Sequence, residues 1–195
     1  MKEHSKALKE TASQTAGPYV HIGLAPRAAG FDMYDHQLGH DIAGPKAKGR
    51  RITVTGVVLD GTGAPVTDVL IEVWQANAAG VLPGQGQVED GFRGWGRVIP
   101  DFETGVFSFG TVKPGPLHAG AAPYLNLWIV ARGINVGLNT RMYFDDERAA
   151  NSADPVLRQI TPQHRRRTLI ARGDGATYHF DVRLQGDAET VFFDV

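Results

Sequence analysis

The side chains that could do chemistry in this sequence are seven histidines, at positions 4, 21, 36, 40, 118, 164 and 179, and the carboxylates near them. Imidazole and carboxylate are the usual ligands of zinc and non-haem iron, and a neutral imidazole is the usual general base. Spacing decides between these uses. No two of the seven form His-x-His, and His-Glu-x-x-His does not occur. His36 and His40 lie four apart, with Asp32 and Asp35 close by, a spacing that on a helix would place both rings on one face. Gly39 lies between them and the segment has no helical period, so the residues favour a solvated or interface pair over a metal site. His118 stands alone in a loop after Pro116. His179, flanked by Tyr178 and Phe180 on an alternating strand, reads as structural.

Other chemistries find no support. Without cysteine there is no thiolate zinc site, disulfide or Cys nucleophile. Gly-x-Ser-x-Gly is absent. Gly84-x-Gly86 and Gly94-x-Gly96 lie in loops, without the strand before and helix after that a phosphate cradle requires. A formal charge of −1 gives no net cationic field for nucleic acid or a membrane surface. The run Arg165-Arg166-Arg167 reads as a solvated face or an ion-pair cluster at an interface. Arg132 remains. It ends the apolar run Trp128-Ile-Val-Ala and has to leave the core. It either closes a local ion pair, the commoner use, or offers a guanidinium fork to an anion in a cleft.

The elements that must position these residues are mostly strands. A length of 195 residues suits one domain with an arm. Residues 1–14 are polar and read as a flexible N-terminal arm, leaving 15–195 as the domain. The start carries no apolar signal region and no run reaches membrane-span length, so a cytoplasmic location is expected. Gly-Pro turns the chain at 17–18, and the alternation over 15–24 predicts an extended segment. Residues 25–50 read as an irregular connection. Alternation predicts a strand from Arg51, with Ile52, Val54, Gly56 and Val58 on one face, closed by the turn at 60–63. Further strands are predicted at 69–76, 106–109, 125–130, 140–144, 176–185 and 189–193. Residues 77–96 read as a long Gly-rich loop of the kind that serves function or covers an interface. A short helix is predicted over 145–151, and Asp154 caps a second that opens with Pro155. The class is mainly β: a β-sandwich with irregular loops and a few short helices.

Six segments, 13–24, 70–76, 111–115, 131–135, 140–147 and 189–194, together carry a resemblance that spans about residues 11–195. They resemble the alpha subunits of the protocatechuate-cleaving intradiol dioxygenases. The resemblance implies a β-sandwich that works in alpha–beta protomers gathered into larger oligomers. It implies non-haem Fe(III) as cofactor, bound by the partner beta subunit through two Tyr and two His. It implies cleavage of 3,4-dihydroxybenzoate by O2 to 3-carboxy-cis,cis-muconate, in the beta-ketoadipate route of aromatic catabolism.

The same resemblance assigns site residues. Where the family keeps metal ligands this chain has Leu117, Tyr124 and Asn126, with a fourth place around Val81, so no metal ligands are expected here. No catalytic residue is expected in this chain alone. Gly17, Pro18, Tyr19 and Arg132 are the residues that reach the substrate at the interface, which selects the anion-binding reading of Arg132. Two other functions compete. A self-sufficient catechol or hydroxyquinol dioxygenase would need its own Tyr and His ligands. A non-catalytic β-sandwich binding module is compatible with the strand pattern alone.

Overall fold

The computed structural model describes residues 11–35, 39 and 41–194. His4, His36, His40 and the first ten residues of the expected arm lie outside the described residues. Residues 11–14 belong to no helix or strand.

The described residues form nine strands: β1 (Arg51–Leu59), β2 (Leu70–Trp74), β3 (Trp95–Val98), β4 (Val106–Val112), β5 (Tyr124–Val130), β6 (Leu138–Phe144), β7 (Ile170–Asp174), β8 (Thr177–His179) and β9 (Val182–Arg183). They run in the order β3-β2-β5-β6-β7-β8-β1-β4, with β9 added to β1. β7 is the seam. It pairs parallel with β6 and antiparallel with β8, so it ties the layer β3-β2-β5-β6 to the layer β8-β1-β4. The inner faces meet in one core that includes Val54, Phe107 and Phe109 from one layer and Ile71, Leu125, Leu127 and Met142 from the other. Fully burying each such side chain contributes about 1.5–3 kcal/mol. The period-2 pattern produces this directly: 52, 54, 56 and 58 of β1 are buried, as are 125, 127 and 129 of β5. The mainly β, two-layer class expected from the sequence is the one found. No helix among the described residues is long and apolar enough to cross a membrane.

Several elements differ from the sequence expectation. The segment at 15–24 is not extended. Gly17-Pro18-Tyr19 turns into helix α1 (Val20–Leu24), closed by local bonds from Gly23 N to Tyr19 O (3.2 Å) and Ala25 N to His21 O (2.8 Å). Among the described residues it pairs with no strand, its outer contact with β3 being the Arg97 side chain donating to Leu24 O at 2.9 Å, and Tyr19 is 79% exposed. The run 176–185 splits into β8 and β9 because the Asp181 carboxylate accepts the Val57 N–H that would otherwise serve the ladder. Residues 189–193 form no strand beyond a bridge of Phe193 with Asn139. Thr190 is hooked to Arg183 and Val191 to Thr168 and Thr140 instead. The predicted loop 77–96 ends early, since Trp95 and Gly96 already belong to β3. The first helix after β6 is α2 (Arg148–Ala153), not 145–151. Asp145 and Asp146 are used before it as acceptors for Gly173 N and for Lys113 and Tyr178. α3 (Pro155–Gln159) opens as expected, with the Asp154 carboxylate accepting from Val156 N (3.0 Å) and Leu157 N (2.9 Å).

Candidate functional site

Two of the predicted groups come together at one end of the molecule. β5 ends at Val130, and the chain turns through Ala131–Ile134 with Arg132 at its tip. The Thr15 hydroxyl donates its one proton into this turn, where Ala131 O (3.1 Å) and Ile134 O (2.9 Å) share it, and accepts from Gly133 N at 2.9 Å. Thr15 thus clasps the segment that carries Gly17, Pro18 and Tyr19 onto the turn that carries Arg132. The Arg132 side chain is 63% exposed, and its Nε donates to Asp68. A guanidinium has five N–H donors, so this bond holds its orientation, and neither Nη group has a partner among the described residues. His21, behind the exposed Tyr19, is buried against the edge of Phe102, with ring centroids 5.3 Å apart. Its Nε2 has no hydrogen-bond partner among the described residues.

Leu117, Tyr124 and Asn126 also converge. With Leu82 they line one small pocket of about 10 Å³, roughly the room of one water. Leu82, rather than Val81, is the side chain from the 77–96 segment that lines it. Trp74, Gln75, Ala76 and Gly115 complete the lining, and the Gln75 amide is already bonded to Thr111 and Val112. The remaining phenol, amide and two isobutyl groups do not fit ferric iron, which needs hard oxygen donors and imidazoles in number. The described residues contain no group of three or more His, Cys, Asp or Glu able to hold a metal. His118, His164 and His179 are exposed. The Arg165–Arg167 run forms a 3-10 helix in which Arg165 pairs with Glu189 and Arg166 donates to the Arg158 and Ile160 carbonyls.

The loops around this pocket are held by buried polar residues that sequence reasoning passed over. Asn77 is 4% exposed. Its Oδ1 accepts from Ala79 N and Val81 N, its Nδ2 donates to Glu89, and its carbonyl accepts from Gly115 N. Gln75 accepts from the Thr111 hydroxyl at 2.5 Å and donates to Val112 O at 2.9 Å. Asp154, besides capping α3, accepts from Ala122 N at 2.9 Å and so fixes the loop before Tyr124. The signal for these was a polar residue inside an apolar strand or at its end, with no spacing rule to mark it.

A second polar cluster closes the mouth between the layers. The Lys113 ammonium donates to Asp146 (2.9 Å) and Glu147 (2.7 Å), and the Tyr178 hydroxyl donates to Asp146 at 2.8 Å. Burial pushes the Asp146 carboxyl up, but the bonds from Lys113 and Tyr178 outweigh it and hold it below the ordinary range. Burial likewise acts to lower the Lys113 ammonium, and its two carboxylate partners turn the net shift upward. Burial pushes the Tyr143 phenol, under α3, up to about 12.

Comparison with known proteins places this geometry. A family model described as Dioxygenase matches residues 26–186. The protocatechuate 3,4-dioxygenase alpha chain of Pseudomonas putida is 48% identical over 195 residues, covering 96% of this chain and 97% of that one. The protocatechuate 3,4-dioxygenase beta chain of Burkholderia cepacia is 35% identical over 173 residues, covering 76% of this chain and 72% of that one. Among solved structures, the dioxygenase domain of a dioxygenase–carbohydrate-binding fusion from Streptomyces sp. SirexAA-E aligns with a TM-score of 0.57. It is 25% identical and covers 78% of this chain and 88% of that one. The chain belongs to the intradiol dioxygenase family, with alpha chains of protocatechuate 3,4-dioxygenase among its relatives.

Proposed function

We propose that this chain is the alpha subunit of a protocatechuate 3,4-dioxygenase. In that reading it pairs with a beta chain that holds non-haem Fe(III), and the assembly cleaves 3,4-dihydroxybenzoate between its hydroxyl-bearing carbons. One O2 supplies both added oxygen atoms, and the product is 3-carboxy-cis,cis-muconate. One observation carries the reading: the four expected ligand places in the small pocket, Leu82, Leu117, Tyr124 and Asn126, offer too few donors for iron on a chain matched over 96% of its length by an alpha chain. Leu82 takes the fourth ligand place.

The chain's own contribution is a lip to the partner's cleft. Gly17, Pro18 and Tyr19 form the wall, held by the Thr15 clasp. Arg132 supplies the cation for the substrate's carboxylate, with Asp68 orienting it through Nε. The 15–195 unit acts as one domain and 1–14 as an arm. The unusual exposure of Tyr19 fits a surface that a partner covers. A chain without cysteine suits the cytoplasm.

Metal analysis tests the reading. The chain purified alone should carry only traces of iron, and the co-expressed alpha–beta complex about one iron per pair. A full equivalent of iron with a tyrosinate charge-transfer band on the isolated chain would favour a self-sufficient dioxygenase instead.

A further inference from the structure

The strand order ends at β4 on one side and β3 on the other, and a cavity of about 390 Å³ lies between these two ends. Segment 23–34 roofs it. Two arginines fasten the roof: Arg97 of β3 donates to Leu24 O at 2.9 Å, and Arg27 donates to Asp32 (2.9 Å) and Tyr34 O (3.3 Å). The floor is the free edge of β4, and strand geometry fixes which of its groups are open. Thr53 N donates to Ala176 O, so the Thr53 backbone faces β8. Successive residues of a strand turn their N–H and C=O to opposite sides, so Ile52, Val54 and Gly56 face β4. Their partners Thr111, Phe109 and Phe107 face β1 in return, which leaves Val106, Ser108, Gly110 and Val112 facing outward. The two end members of this set are used: Val106 O accepts from Asp101 N, and Val112 O from the Gln75 amide. The middle two are not. The backbone groups of Ser108 and Gly110 have no partner among the described residues, and both residues line the cavity.

An edge strand that stays open is normally blunted by lysine, proline or a bulge. β4 reads Val-Phe-Ser-Phe-Gly-Thr-Val and has none of these: no charge, no proline and an unbroken register against β1. The roof beside it exposes Leu24, Phe31, Met33 and Tyr34, apolar surface of the kind that marks a contact. Its cations bring no free charge, since Arg27 is paired with Asp32 and Arg97 with Glu72. A charged ligand would find no counter-ion here, whereas an uncharged extended backbone finds its complement. Its N–H and C=O pairs recur on one side every second residue, roughly 7 Å apart, which is the spacing from Ser108 to Gly110.

We propose that β4 is an acceptor edge for an extended, uncharged segment of another polypeptide, which adds a short strand at Ser108 and Gly110 under the 23–34 roof. The site uses neither iron nor Arg132, so it stands or falls apart from the proposed function.

The probe is a blocked peptide, acetyl-Thr-Val-Thr-Val-Thr-amide. Nitrogen-15 NMR on the full chain should show saturable binding with a Kd of about 1 mM or tighter, and hydrogen exchange at the Ser108 and Gly110 amides should slow. The same peptide with every backbone nitrogen methylated keeps its side chains but cannot donate, and it should bind at least about tenfold more weakly. Replacing both valines by lysine should weaken binding as much. Gly110→Pro removes the outward N–H and leaves the β1 ladder alone, because an N–H that faces away from the sheet is where a strand tolerates proline. A Cβ at Gly110 meets nothing within 4 Å, so the position has room for it. Gly110→Pro should weaken binding at least about tenfold, while Gly110→Ala, which keeps the N–H, should bind as wild type does. The proposal is overturned if wild type shows no saturable binding, if the methylated peptide binds as well as its parent, or if Gly110→Pro and Gly110→Ala behave alike. Slowed exchange at other strands with none at Ser108 and Gly110 would overturn it too.

Discussion

Replacing Arg132 by alanine in the assembled enzyme separates substrate recognition from scaffold. In the free chain the Arg132–Asp68 pair is largely solvated, with the Arg132 side chain 63% exposed, so its loss should cost the fold no more than about 1 kcal/mol. The contact with substrate is different. A carboxylate bound at a closed subunit boundary exchanges its water for the guanidinium, and a charge-assisted bond there contributes roughly 1.5–3 kcal/mol. At about 1.4 kcal/mol per tenfold, Arg132→Ala should lower kcat/KM for protocatechuate about ten- to a hundredfold. Catechol lacks the carboxylate and should lose far less. Arg132→Lys keeps the charge but not the two-pronged donor, so it should fall between. Asp68→Asn should leave Arg132 charged but less firmly aimed, giving a smaller loss of the same selectivity. The assay is steady-state oxygen uptake with the two substrates, alongside iron content, which should not change. Equal losses on both substrates, or none on either, would refute the assignment and leave Arg132 as a surface ion-pair residue.

Two further outcomes concern the scaffold. Asp154→Ala removes the acceptor for Val156 N, Leu157 N and Ala122 N at a buried position, and should cost about 2–3 kcal/mol, read as a lowered midpoint in thermal unfolding. The Lys113–Asp146 cluster gives a pH dependence with a definite sign. Asp146 is held below its unfolded value, so its contribution is complete above the ordinary carboxylate range and disappears as pH falls through the lower folded value. Lys113 is held above its unfolded value, so its share is complete at neutral pH and disappears only in strong alkali. Acid unfolding followed by circular dichroism should therefore be shallower below about pH 4 in Asp146→Asn than in wild type. An identical acid limb in both would remove Asp146 from the balance.

Legibility in the sequence tracked the length and regularity of each signal. The nine residues of β1 and the seven of β5 alternate without interruption, and their buried faces were readable in advance. Asp154-Pro155 was readable because a cap and a fixed φ act locally. β3 was hidden because only four residues form it and one of its inward positions is Gly96, which has no side chain to signal burial. The seam strand β7 was hidden because its burial pattern has no period. α1 was misread since a five-residue apolar stretch fits either period until its neighbours are known. At the site, the resemblance named the positions, and the folded chain showed which of them meet. Leu117, Tyr124 and Asn126 share a pocket with Leu82, and Thr15 brings 17–19 to the Arg132 turn. The clasp was not legible, because its bonds run from a side chain to carbonyls more than a hundred residues away.

The arrangement also explains why the four expected ligand places can hold non-ligating side chains without harm to the fold. Tyr124 and Asn126 occupy the outward positions of β5, whereas the core is built from Leu125, Leu127 and Ile129 on the other face. Leu82 and Leu117 lie in loops outside the strands. A side chain at any of these four places can change from donor to hydrocarbon without touching the inter-layer core. What cannot change as freely is the set of side chains that hold the loops: Asn77 accepting from Ala79 N and Val81 N, Gln75 bonded to Thr111 and Val112 O, Asp154 accepting from Ala122 N. Each satisfies polar groups that would otherwise cost about 1–3 kcal/mol apiece if left buried and unpaired. The scaffold is therefore stabilised by residues other than those four places. The pocket between them has the room of one water, and Thr15 fixes the Arg132 turn independently of it. Under the proposed function, separating ligand positions from loop anchors in this way would let one fold serve as the metal-bearing chain in one subunit and as the substrate-facing lip in another.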